Sequence, residues 1–175
     1  DEIISDLDEL CNRVKVAKKN KEVVSIAYDG NIIDVWEKFH SEDIFIDLGS
    51  DQTSLHNPWA GGYYPQWMSL EDANDLMVDN PNLFKEKVQE TLRSHVNAIN
   101  TLTNKGMYFF DYGNAFLLES KRAGANILDV HGNFKFQSYV QDIMGPMCFD
   151  YGFGPFRWVC TSGDINDLTK SDEIA

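Results

Sequence analysis

Asp51, Gln52, Thr53, Ser54 and His56 set five polar side chains in six positions, and Trp59, Tyr63, Tyr64 and Trp67 follow in the same stretch. Amides, hydroxyls and an imidazole suit ribose and phosphate oxygens, and flat rings suit a heterocycle, so the stretch carries what a ring-bearing ligand needs. The same four aromatics equally suit packing against a neighbouring domain, and residue type alone does not separate the two. Two further turns, Tyr28-Asp-Gly-Asn31 and Asp111-Tyr-Gly-Asn114, carry related groups, although Gly-Asn turns and Asp or Ser caps are also ordinary turn chemistry. Gly30-Asn31 could offer backbone N–H groups to a phosphate at a helix start, but neither GxGxxG nor GxxxxGK[ST] occurs in the chain. His40, His56, His95 and His131 are scattered without HExxH or HxH spacing, so a metal site is unsupported; His95, in mid-helix, reads as structural. No GxSxG elbow accompanies Ser54. Cys148, within Gly-Pro-Met-Cys-Phe-Asp150, reads as a reactive thiol or as a buried inert one. Arg157, between Phe156 and Trp158, suits either a bidentate carboxylate clamp or a stacked structural role.

The elements that must position these groups follow from periodicity and turn signals. Ile4, Leu7, Leu10, Cys11 and Val14 predict an amphipathic helix with acidic residues at its start and lysines at its end. A strand over Glu22–Tyr28, a helix over Ile32–Phe39 and a strand over Ile44–Leu48 then predict a βαβ unit with parallel pairing. Gly49–Gln66 reads as a long ordered loop at the carboxyl end of a strand, where open α/β sheets bind ligands. Ser69-Leu-Glu-Asp72 opens one helix by a capping-box pattern. Asn80-Pro81 opens a longer one that carries Phe84, Val88, Leu92, Val96 and Ile99 and ends at Gly106. A strand over Met107–Asp111, a turn and a helix over Ala115–Ala123 repeat the alternation. Beyond Gly132 the texture changes to Gly, Pro and aromatics, with a helix cap at Thr161–Asp164, which predicts a structural boundary near residues 127–133.

With 175 residues and 43% hydrophobic content, the chain has ample material for a packed core. Its 28 Asp and Glu against 15 Lys and Arg give a formal charge of −13, which repels nucleic acid and anionic membrane surfaces. No segment approaches the roughly 20 apolar residues of a membrane span, and the first residues lack the pattern of a signal peptide. Three cysteines at long spacings indicate neither a disulfide framework nor a zinc site. The expectation is a soluble, cytoplasmic protein with neither nucleic acid nor membrane as partner.

Three blocks in order carry a resemblance: Asp47-Leu-Gly-Ser-Asp-Gln-Thr-Ser-Leu-His56 with Gly61-Gly-Tyr-Tyr-Pro65; Phe110-Asp-Tyr-Gly-Asn114; and Gly152-Phe-Gly-Pro-Phe-Arg-Trp158 with Ser162-Gly-Asp164. Over essentially its whole length the chain resembles the urocanate hydratase (urocanase) family, its eukaryotic-type members in particular. The resemblance implies a cytosolic homodimer that adds water to urocanate, giving 4-imidazolone-5-propionate in histidine degradation, with tightly held NAD⁺ used as an electrophile rather than as a hydride carrier. It implies an α/β fold: Rossmann-like parallel βα units, the later part of an NAD-binding domain, over residues 1–130. These continue into a mixed α/β segment, the start of a returning core domain, over residues 131–175. By the same resemblance Asn31, Ile32, Gln52, Thr53, Ser54, Leu55, His56, Tyr63, Tyr64 and Tyr112 match positions around NAD. A family active-site cysteine falls in ungapped register on Asp150, with Cys148 two residues earlier, so both are catalytic candidates beside Arg157. The family's Gly-Met-Ser-Gly-Ala-Gln segment for the NAD phosphates has no counterpart here. The chain therefore resembles the middle and later part of a urocanase. The rival readings are a non-catalytic NAD-binding or assembly module, and an NAD-dependent oxidoreductase. The missing glycine fingerprint and acidic ribose partner disfavour the latter.

Overall fold

The computed structural model describes residues 2–154 and 160–174, so the candidate Arg157 lies outside the described residues. Most of the long helices begin where the sequence supplies a cap. In α1 (Leu7–Asn20) the Asp6 carboxylate accepts from the Glu9 amide at 2.8 Å, with acidic residues in the first turn and lysines in the last to match the helix dipole. Asn31 caps α2 (Ile32–Ser41), Ser69 caps α3 (Leu70–Asp79), and Asn80 caps α4 (Pro81–Thr103), whose opening proline gives up only an amide the first turn leaves unpaired. α5 (Phe116–Arg122) has no side-chain cap and is entered through Ala115 at φ +70°.

Among the described residues, five short strands pair in two parallel sheets. β1 (Glu2–Ile4) pairs with β2 (Ile26–Tyr28), and β4 (Tyr108–Asp111) lies between β3 (Leu48–Asp51) and β5 (Gln137–Ser138). This parallel, helix-linked organisation is the expected α/β class. Three details differ from expectation. Ile4 belongs to β1 rather than to the first helix, because Asp6 caps the chain two residues later. The strand expected over Ile44–Leu48 lies instead at Leu48–Asp51. Gly49, Ser50 and Asp51 have little strand preference of their own and are held extended by pairing with Phe109, Phe110 and Asp111. The strands flanking α2 are also not partners of one another: β2 pairs with β1 across α1, and β3 pairs with β4.

α2 connects the two halves of the core. Ile33 and Trp36 enter the larger apolar cluster, built on Phe84, Val88, Leu92, Val96 and Ile99 of α4 with Phe109 of β4 and Phe116 of α5. Val35 and Phe39 of the same helix enter a smaller cluster with Ile4, Leu10, Cys11 and Ile44. The apolar steps of three and four along α4 thus form its buried stripe, as the sequence pattern predicts. Among the described residues, no helix is long and apolar enough to cross a membrane.

Candidate functional site

The parallel register brings the last residues of β3 and β4, Asp51 and Asp111, side by side at the carboxyl edge of the sheet. Both are buried, at 4% and 3% exposure. Burial, with Asp51 nearby acting in the same direction, pushes the Asp111 carboxyl above its ordinary value, and hydrogen bonds from Ser138 and the backbone of Gly113 and Leu117 oppose the shift. Asp51 Oδ1 accepts from the Thr53 amide at 3.2 Å, from Thr53 Oγ1 at 2.7 Å and from Asn114 Nδ2 at 2.6 Å. Asn114 Nδ2 also donates to the Thr53 carbonyl at 2.6 Å. The loop after β3 and the turn after β4 are therefore tied through one amide.

Between that tie and α3, residues 52–66 divide into an outer and an inner set. Gln52, Ser54 and His56 are exposed and Thr53 is half-buried, whereas Leu55 and Tyr63 are buried in the larger core cluster. Tyr63 Oη and His95 Nδ1 lie 2.9 Å apart, and the Gln66 amide donates to Thr91 Oγ1 at 3.0 Å, so α4 carries two polar anchors for this loop. Burial lowers the His95 pKa to about 4, with Asp51 opposing, and drives the Tyr63 phenol well above its usual value. Tyr64 Oη donates to Asn74 Oδ1 at 2.8 Å, and Lys85 Nζ sits 4.9 Å from the Trp59 ring centre. Most of the aromatics that suggested either a ring ligand or a second domain thus pack on α3 and α4 of their own chain. Trp67 is the exposed exception.

On the other side of the edge, the half-exposed Tyr112 ring stacks on Tyr139 at a centroid distance of 5.0 Å and an angle of 5°. Next to this edge is a cleft of about 940 Å³, whose lining includes His56, Asp111, Gly113, Lys121, Lys135 and Ser138. Asn31 and Ile32 stand at the carboxyl end of β2. Asn31 Oδ1 is occupied by the Ile33 amide at 3.0 Å, and the Ile32 side chain is exposed.

A family model described as the urocanase Rossmann-like domain matches residues 1–143, and one described as the urocanase C-terminal domain matches residues 146–175. The chain belongs to the urocanase family. This urocanase chain is 57% identical over 178 residues to a probable urocanate hydratase of Dictyostelium discoideum. It is 51% and 50% identical, each over 182 residues, to the urocanate hydratases of Mus musculus and Homo sapiens. Each alignment covers 99% of this chain but only 26% or 27% of the relative, so the chain spans about a quarter of their length.

Within the urocanase chain the predicted residues fall into separate groups. Gln52–His56 and Tyr112 flank one sheet edge through the Asn114 tie, Tyr63 and Tyr64 support it from behind, and Asn31 and Ile32 open α2. Beyond β5, Cys148 joins two short helical turns, Gly145–Met147 and Phe149–Tyr151, and Asp150 lies in the second. The Cys148 side chain is half-buried and Asp150 is exposed. The sequence marks the turn Asp111–Asn114 as a candidate ligand loop without separating the roles of its carboxylate and amide, and it gives Thr91 and Gln66 no role of their own. In that turn Asp-x-Gly-Asn, beginning on the last residue of β4, sets a carboxylate and an amide three residues apart. Among the described residues, no group of three or more His, Cys, Asp or Glu side chains is arranged to hold a metal ion.

Proposed function

We propose that this chain forms part of a urocanate hydratase, a hydro-lyase of histidine degradation that adds water to urocanate to give 4-imidazolone-5-propionate. The observation that carries the reading is the identity of 50% to 57% with proteins named urocanate hydratase, sustained over 99% of the chain. The proposal extends to a cytoplasmic homodimer, and to an NAD-binding part followed by a returning core segment.

The residues present fit the ring and sugar portions of NAD. Exposed Gln52, Ser54 and His56 supply donors and acceptors and Tyr112 supplies a ring; all follow the carboxyl ends of parallel strands, and His56 lines the cleft there. In this proposal Asn31, Ile32, Gln52, Thr53, Ser54, Leu55, His56, Tyr63, Tyr64 and Tyr112 form this chain's share of the cofactor site. Leu55 and Tyr63 act from the core side, holding the loop rather than offering side chains to the ligand. When bound, oxidised nicotinamide supplies an electrophilic carbon matched to the electron-rich imidazole of urocanate. The chain's own part is to orient the rings, hold the substrate carboxylate and handle protons. For proton handling Asp150 and Cys148 are the proposed groups, Asp150 as an acid or base, and Arg157 is proposed as a clamp for the substrate carboxylate.

The test is urocanate consumption, followed by its ultraviolet absorption, in a full-length protein carrying this sequence. Loss of absorbance with NAD⁺ bound and no net NADH supports the hydratase. Retained NAD⁺ without urocanate loss overturns it in favour of a binding or assembly module, and NADH formation from a 2-hydroxy acid overturns it in favour of an oxidoreductase. Comparing Asp150→Asn with Cys148→Ser in the same protein identifies the essential group, since the variant that keeps full activity cannot carry it.

A further inference from the structure

We infer that Asn114 is a positioning residue that sets the conformation of the Gln52–His56 loop, and with it the hold on the cofactor; this rests on the proposed NAD-binding role of that loop. The side chain has two N–H donors and both are used across more than sixty residues of sequence, one on Asp51 Oδ1 and one on the Thr53 carbonyl, each at 2.6 Å. Turning the amide over would set its Oδ1 against two acceptor oxygens and lose both hydrogen bonds. Its Oδ1 is buried with no hydrogen-bond partner, an arrangement that costs stability and that a purely structural position gains nothing by keeping. The two contacts bracket Gln52 from either side, and the Thr53 hydroxyl closes the arrangement on the same Asp51 oxygen at 2.7 Å.

The turn that delivers Asn114 is itself held in costly geometry. Ala115, the next residue, has φ +70°, where a non-glycine side chain is disfavoured. Gly113, the residue before, has φ +88° and packs so closely that an added Cβ would lie 2.7 Å from Val140 Cγ2. Tyr112, one residue further back, stacks on Tyr139. One rigid turn therefore carries both an aromatic face of the proposed site and the amide that locks the opposite loop.

The experiment uses the full-length protein carrying this sequence, with wild type, N114A and N114D compared for NAD⁺ release rate, urocanate turnover and thermal unfolding. N114A is expected to release NAD⁺ about tenfold faster or more, the effect of losing one or two good hydrogen bonds, with the unfolding transition retained. N114D sets a carboxyl against Asp51 Oδ1 and the Thr53 carbonyl. Its only favourable contact needs a proton on that carboxyl, so its NAD⁺ retention should recover as pH falls while wild type shows no such gain. A merely structural role would move the unfolding transition along that pH profile, whereas a positioning role moves NAD⁺ retention with the transition unchanged. Release rates within twofold of wild type in N114A, or a pH-independent N114D, would overturn the inference. Failure of both variants to fold would overturn it as well, because a positioning role leaves the core clusters untouched. A wild type without bound NAD⁺ would instead overturn the parent reading, which separates the two failures.

Discussion

At the scale of single residues the sharpest consequence concerns His95. Its folded-state pKa of about 4 lies below the ordinary 6.5 because the ring is buried against Tyr63 and Phe116. Between those values the unfolded chain binds more protons than the folded one, so stability falls as pH drops from about 6.5 to 4. The full effect is on the order of 3 kcal/mol. Asp111 acts in the opposite sense, since its raised pKa favours the folded state at low pH and that contribution is lost as pH rises. Urea unfolding at pH 7 and at pH 4.5 checks this. Wild type should lose a substantial part of those 3 kcal/mol, whereas His95→Gln, less stable at neutral pH, should show a clearly smaller difference. An unchanged difference in His95→Gln would assign the acid sensitivity elsewhere. His95 was legible in the sequence as a structural histidine, but its partner was not. Tyr63 lies 32 residues away and sits in a stretch whose aromatics looked superficial.

At the scale of elements, what the sequence declared locally was readable and what tertiary pairing imposes was not. Asp6, Asn31, Ser69 and Asn80 mark helix starts because a short polar side chain before an apolar run satisfies the first free amides, and all four do so. β3 was displaced in the reading because Ile44-Phe-Ile looks like a strand, while Gly49-Ser-Asp becomes one only against β4. The carboxyl edge was recognisable as the candidate site, yet the inward turn of the loop behind it was hidden. That inward turn has its own test at Gly62. A Cβ there would lie 2.2 Å from the Ser54 carbonyl oxygen and 2.4 Å from that of Asn57, both backbone atoms that cannot step aside. Gly62→Ala should therefore spread the 54–62 loop at a cost of about 1–3 kcal/mol, with the midpoint of urea unfolding lowered accordingly. In the full-length protein NAD⁺ should also be released faster. A variant as stable as wild type would show that the loop relaxes freely and does not depend on this close approach.

At the scale of the whole molecule, the two core clusters account for the chain up to about Ile127, and the distribution of apolar surface changes after β5. Met147 is 69% and Phe153 70% exposed, Tyr151 is likewise exposed, and the last helix, Ile165–Ile174, has no buried residue and presents Ile165 and Ile174 to solvent. Apolar side chains this open over a contiguous stretch are uncommon on a finished surface. Since the chain spans about a quarter of its relatives' length, surface that other parts of such a protein would cover is the physical reading. The 175-residue chain studied alone should then bind a hydrophobic dye and associate with rising concentration, despite a formal charge of −13 that opposes self-association. Replacing Met147 and Phe153 together by lysine should lower both dye fluorescence and the association seen by sedimentation. The urea transition, which reports the buried clusters, should move by no more than about 0.5 kcal/mol, as for exposed sites in general. On the proposal that other parts of a full-length protein cover these two side chains, the same pair of changes there should weaken folding or activity instead. Equal tolerance in both contexts would mean that this stretch faces solvent in the complete protein, and that the change in texture along the sequence marks no buried junction.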